Sequence, residues 1–132
     1  MAYRCVIVIP AYNPPASFSG YIPELKKAGF QDIIVVNDGS RTDKLPVFYK
    51  VERAGALALT HEENKGIGAS LRTAMTYYQE HFGGKTDGII TLNSDRLTPV
   101  ADVQRWRRPF IMNRRWARMR LSWAPGTSEV TW

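Results

Sequence analysis

Short, almost continuous apolar runs alternate with helically spaced segments along the chain up to about residue 100. Arg4-Cys5-Val6-Ile7-Val8-Ile9, closed by Pro10, has the pattern of a strand buried on both faces of a parallel sheet. Ile33-Ile34-Val35-Val36, Ala56-Leu57-Ala58-Leu59-Thr60 and Gly88-Ile89-Ile90-Thr91-Leu92 repeat the pattern, the third run more weakly. Between them, Ile67, Leu71, Ala74, Met75, Tyr78 and Phe82 mark one face of a helix ended by Gly83-Gly84. Leu25 and Phe30, with Pro23 near a first turn, predict a helix of about ten residues before the second strand. Val47, Phe48 and Val51 predict another before the third. Strands alternating with helices in this order predict an α/β fold: an open, mostly parallel sheet, right-handed crossovers, and helices on its faces.

Ligands of such sheets collect beyond the carboxyl ends of the strands, and the residues there are polar in this chain. They are Pro10-Ala11-Tyr12-Asn13, Asn37-Asp38-Gly39-Ser40, His61-Glu62-Glu63-Asn64-Lys65-Gly66-Ile67-Gly68 and Asn93-Ser94-Asp95. The second turn reads two ways. It is a tight turn with Ser40 or Asp43 capping the next helix, or it presents Asp38 to the hydroxyls of a nucleoside. Gly66 and Gly68 let backbone approach a ligand at a helix start whose N–H groups favour an anion, and Lys65 adds a cation that could equally be solvated. Asn93 and Asp95, alternate residues at a strand end, can both reach one hard divalent cation that a diphosphate shares.

Other chemistries are excluded. Leu71 stands where a third glycine would complete a dinucleotide fingerprint, and no Walker lysine follows a four-residue spacer. His61-Glu62 lacks a second histidine because Lys65 holds that position, so His61 reads as a loop or strand-end residue and His81 as a surface one. No nucleophile elbow surrounds Ser40. The lone Cys5 can form neither an internal disulfide nor a zinc cage. No run approaches the roughly 18 apolar residues that cross a bilayer, and the start shows no signal-peptide pattern. The expectation is a cytoplasmic chain.

Taken together, Val8-Ile9-Pro10-Ala11-Tyr12-Asn13, Val35-Val36-Asn37-Asp38-Gly39-Ser40, Asn64-Lys65-Gly66-Ile67-Gly68 and Leu92-Asn93-Ser94-Asp95 resemble the amino-terminal half of family 2 glycosyltransferases, in particular the bacterial relatives of dolichyl-phosphate mannosyltransferases. The resemblance spans about residues 4 to 103. It implies the nucleotide-binding half of a GT-A, Rossmann-like fold, a nucleoside-diphosphate sugar donor, inversion at the anomeric carbon, and Mg²⁺ or Mn²⁺. By motif position Pro10, Ala11 and Tyr12 line the base pocket, Asp38 contacts base and ribose, Lys65 and Gly66 lie near the nucleotide, and Asn93 and Asp95 hold the metal. It leaves the acceptor open among a lipid phosphate, a glycan and a polysaccharide, and is compatible with peripheral membrane association of the full-length relative. The chain departs from the family in having Asn93 for the usual Asp, Arg96 after Asp95, and no counterpart of the second-half general base.

Charge divides the chain at the same point. Residues 1–103 carry eleven basic and eleven acidic side chains, whereas residues 104–132 carry seven Arg, one Glu and all four Trp. The whole net charge of +6 therefore lies in the last 29 residues. An Arg/Trp-rich tail could bind nucleic acid or an anionic membrane, and this is the alternative function class. Its apolar residues hold no sustained helical face, and Pro109, Pro125 and Gly126 interrupt it, so no nucleic-acid partner is favoured. Arg and Trp share codons ending in GG, and codons from Trp106 onward, read one frame over, can spell an amphipathic helix, a loop and a strand. The tail therefore reads as frameshifted, and the chain as a truncated, weakly active or inactive form.

Overall fold

The computed structural model describes residues 4–82, 86, 88–95, 97–106, 118–123 and 126–131. It shows an α/β, Rossmann-like architecture: a four-stranded, wholly parallel sheet between two layers of helix. The strands are β1 (Cys5–Ala11), β2 (Asp32–Asp38), β3 (Leu57–His61) and β4 (Gly88–Thr91). Helices α1 (Phe18–Lys27), α2 (Leu45–Arg53), α3 (Ile67–Phe82) and α4 (Val100–Trp106) follow them in turn.

Strand alternation sorts the core. Cys5, Ile7, Ile9 and Ala11 of β1, with Ile33 and Val35 of β2, face α1, α2 and Val103 of α4. Val6, Val8, Ile34 and Val36 face Ala74 and Tyr78 of α3. Because both faces are covered, the strands read as unbroken apolar runs. Complete burial of a side chain such as Phe18, Ile9 or Ile22 contributes roughly 1.5–3 kcal/mol over leaving it exposed.

The strand order β3-β2-β1-β4 places the site. The chain steps outward from β1 through β2 to β3, then returns to pair β4 with the other side of β1. This switch of direction opens a crevice beyond the carboxyl ends of β1 and β4. Pro10 is tolerated in a central strand for the same geometric reason. Val8 still accepts a hydrogen bond from Leu92 on the β4 side, but β4 has ended by the level of Pro10, so the missing N–H breaks no ladder bond there.

Several local expectations shift. Pro23 lies in the middle of α1, where its exposed ring faces solvent, and Phe30 falls beyond the helix. Ser40 and Asp43 cap nothing: a 3-10 turn at Thr42–Lys44 precedes α2, and neither turn nor helix has a side-chain cap. Ile67 is 53% exposed, whereas Ser70 takes the buried position and bonds its hydroxyl to the Gly66 carbonyl. Gly83-Gly84 and Arg96 lie outside the described residues.

The compositional boundary between residues 103 and 104 falls within α4, whose Val103 is buried in the core and whose Gln104 donates to the Ala28 carbonyl at 3.2 Å. Farther on, β5 (Arg118–Trp123) and β6 (Gly126–Thr131) pair as an antiparallel hairpin, Arg118 opposite Thr131. Residues 107–117, 124–125 and 132 of the Arg/Trp-rich tail lie outside the described residues. Among the described residues no helix is long and apolar enough to cross a membrane.

Buried Tyr21 of α1 donates its hydroxyl to the Thr98 carbonyl, joining α1 to the loop after β4. Burial, then the charge of Glu24, pushes its phenol up to about 12, so it remains a donor at neutral pH. Tyr21→Phe is expected to cost about 1–2 kcal/mol, the penalty of an unpaired carbonyl, as a lower urea midpoint at pH 8. With a folded pKa above the unfolded one, the bond's contribution is complete below about pH 10. It is lost as pH rises through about 12, where wild type and variant should converge.

Candidate functional site

Pro10 and Ala11 at the end of β1 with Tyr12 just beyond it, Asp38 at the end of β2, Asn64 and Gly66 after β3, and Asn93, Ser94 and Asp95 after β4 line one open cleft of about 350 Å³, together with Ile67 and Ser70 of α3. Four chain segments far apart in sequence thus meet at one rim. Tyr12 and Ile67, each 53% exposed, offer apolar surface there, and Asp95 is exposed while Ser94 is buried. Lys65 is brought to the rim through its backbone; its exposed side chain is not among the residues lining the cleft.

The loops are tied to one another before any ligand arrives. Asn13, at φ 47°, donates its N–H to Ser40 Oγ at 2.9 Å and accepts from the Arg41 N–H at 2.8 Å. Asparagine is among the few residues that adopt this left-handed conformation readily. Ser40 N–H in turn donates to Asn37 Oδ1 at 3.0 Å, while its Oγ, the atom that would cap a helix, is already held by Asn13. These bonds join the β1 and β2 loops.

Asp38 joins the β2 loop to the β3 loop. Its Oδ1 accepts from His61 Nδ1 at 2.8 Å and from the Lys65 N–H at 2.9 Å. Its Oδ2 accepts from the Gly66 N–H at 2.9 Å and from Asn64 Nδ2 at 3.2 Å. Burial by itself would raise the carboxyl pKa, but the His61, Lys65 and Gly66 donors outweigh it and hold Asp38 below the ordinary carboxylate range. A carboxylate has about four acceptor directions, and here each already has a donor. Sequence reasoning found Asp38 but missed its partner His61. The signal was the parallel register, which sets His61 directly beside Asp38.

The β3–α3 junction presents backbone. Gly66 takes φ +95°, a conformation suited to glycine, with open space where a Cβ would be. Ser70 N–H makes a helical bond to the Gly66 carbonyl, so the N–H groups of Ile67, Gly68 and Ala69 fall in the first turn, where none has an intrahelical acceptor. Such a turn favours an anion. The Asn93 and Asp95 residues line the same cleft. Among the described residues no three His, Cys, Asp or Glu side chains gather as a metal cage. One carboxylate and one amide oxygen suit a Mg²⁺-like ion that takes the rest of its shell from phosphate and water.

No family model matches the chain, and no solved structure matches it. The chain is 31% identical to an uncharacterized protein of Methanocaldococcus jannaschii, over 80% of this chain and 41% of that one. It is 23% identical to the UDP-N-acetylglucosamine–dolichyl-phosphate N-acetylglucosaminyltransferase of Methanococcus voltae, over 80% of this chain and 46% of that enzyme. The chain thus spans under half the length of these curated relatives. A distant relative of this protein is a glycosyltransferase.

Proposed function

We propose that this chain is the donor-binding half of an inverting family 2 glycosyltransferase, taking a nucleoside-diphosphate sugar in the cleft between β1, β4 and the start of α3. The observation that carries this reading is the convergence of Tyr12, Gly66, Asn93 and Asp95 on one cleft at the switch point of a parallel sheet. The distant likeness to a sugar-nucleotide transferase supports it.

In this reading the exposed faces of Tyr12 and Ile67 receive the flat or apolar parts of the donor, and Pro10 and Ala11 form the floor beside the base. The first turn of α3 meets negative charge. Asp95 and Asn93 would hold Mg²⁺ or Mn²⁺ against the diphosphate; when bound, the ion acts as a Lewis acid that stabilises charge on the leaving group. Asp38 keeps the glycine turn in place. The acceptor would be a lipid phosphate, glycan or polysaccharide, as the relative's name suggests for the first of these.

Thermal melts test the reading, since a ligand that binds the folded state stabilises it by about 2.7 kcal/mol at one hundred times its Kd. UDP-N-acetylglucosamine or GDP-mannose with Mn²⁺ is expected to raise Tm by several degrees, while the free sugar does not. Asp95→Ala should remove the Mn²⁺-dependent part of the shift and leave the unliganded Tm unchanged. An unmoved Tm with both nucleotide sugars at millimolar concentration would refute it.

A further inference from the structure

His61 closes the edge strand β3, and its side chain is only 9% exposed. Nδ1 lies 2.8 Å from Asp38 Oδ1, and Nε2 lies 2.8 Å from Thr73 Oγ1 on α3. An ionised carboxylate only accepts, so Nδ1 is the donor of the first bond. Thr73 Oγ1 also lies 3.0 Å from the Ala69 carbonyl one helical turn back. A hydroxyl both donates and accepts, so it can pair with Nε2 whether or not that nitrogen carries a proton. The ring bridges β2 to α3, with Asp38 on one nitrogen and Thr73 on the other.

The bridge bears on the cleft because of what else Asp38 holds. The Lys65 and Gly66 amides both end on its carboxylate, and Gly66 is the wall residue immediately before α3. A carboxylate anchored by His61 fixes the glycine turn, and the same ring fixes α3 through Thr73. We propose that His61 is a positioning residue for the donor cleft: a ring bonded at both nitrogens clamps Asp38 and Thr73 and so sets the glycine turn where the donor binds. Asp38, its acceptor directions already filled, then shapes the cleft wall rather than contacting base and ribose. The inference rests on the donor-binding reading for its functional consequence, though not for its geometry.

Two measurements on the full chain test it. Nitrogen-15 NMR of the free protein reads the ring directly, with His81→Gln used to assign the His61 signals. A proton on Nδ1, held by the Asp38 carboxylate, is expected, and a His61 ring whose Nδ1 carries none would overturn the clamp. The second measurement compares Thr73→Val, which keeps the shape but removes the hydroxyl, with Thr73→Ser, which keeps it. Hydrogen exchange at the Lys65 and Gly66 amides should quicken about tenfold in Thr73→Val and return to wild type in Thr73→Ser. Affinity for the nucleotide sugar should fall and recover in parallel. Unchanged exchange and affinity in folded Thr73→Val defeat the proposal while leaving donor binding intact. If the wild type binds no nucleotide sugar, the functional reading fails, and the ring and exchange data still decide whether the clamp exists.

Discussion

Asp38→Asn is expected to destabilise the protein by about 3 kcal/mol or more and to remove donor binding, although the substitution is nearly isosteric. The carboxylate accepts four hydrogen bonds and an amide cannot, because its NH₂ would face two of the donors from His61, Asn64, Lys65 and Gly66. Each carboxylate oxygen accepts two of the four bonds, so the NH₂ faces two part-buried donors, and each donor left unpaired costs roughly 1–3 kcal/mol. The pH dependence separates this cause from a packing defect. Asp38 has its folded pKa lowered, so its contribution is fully present above the unfolded value near 3.9 and is lost as pH falls through the folded value below that. Urea unfolding from pH 7 down to pH 2 should show the gap between wild type and Asp38→Asn closing only below about pH 4. A constant gap across that range would mean that the charge is irrelevant.

The sheet was legible because burial on both faces leaves no polar position to interrupt a strand, so Val6 to Ile9 and Ile33 to Val36 announce themselves. The rim was legible for a complementary reason: in a parallel sheet every strand must end at the same edge, and the polar turns after each run are thereby gathered. Helical spacing misled at Ile67. It extends the apolar face of α3 to its first residue, but the first turn projects past the sheet, and Ile67 borders the cleft instead of the core. The caps expected of Ser40 and Asp43 failed because those side chains had other partners, Asn13 for the one and Arg41 for the other. The Asp38–His61 pair depends on which residues of β2 and β3 stand side by side. Register is a tertiary property, and nothing local to His61 encodes it.

Gly39→Ala is expected to be more damaging than any other single methyl addition at the rim. Gly39 has φ +69°, and a Cβ there would stand 2.3 Å from the Asn64 nitrogen and 2.3 Å from the Glu63 carbonyl carbon. Both are backbone atoms, so no rotamer change can relieve the overlap. The left-handed conformation alone costs an L-residue roughly 1–2 kcal/mol, and forcing the loops apart adds about 1–3 kcal/mol of overpacking. Gly66→Ala supplies the comparison, since its φ of +95° carries strain but its Cβ would enter open space. Gly20→Ala, in α1 with nothing near, should stabilise by about 0.5–1 kcal/mol. Urea midpoints should therefore rank Gly20→Ala above wild type, then Gly66→Ala, then Gly39→Ala. Because the displaced backbone carries Asn64 and leads into the Lys65 and Gly66 amides, Gly39→Ala should also lose the nucleotide-sugar shift in Tm. A Gly39→Ala protein as stable as Gly66→Ala would show that the β2 and β3 loops are not held in contact, and the cleft they frame would lose its wall.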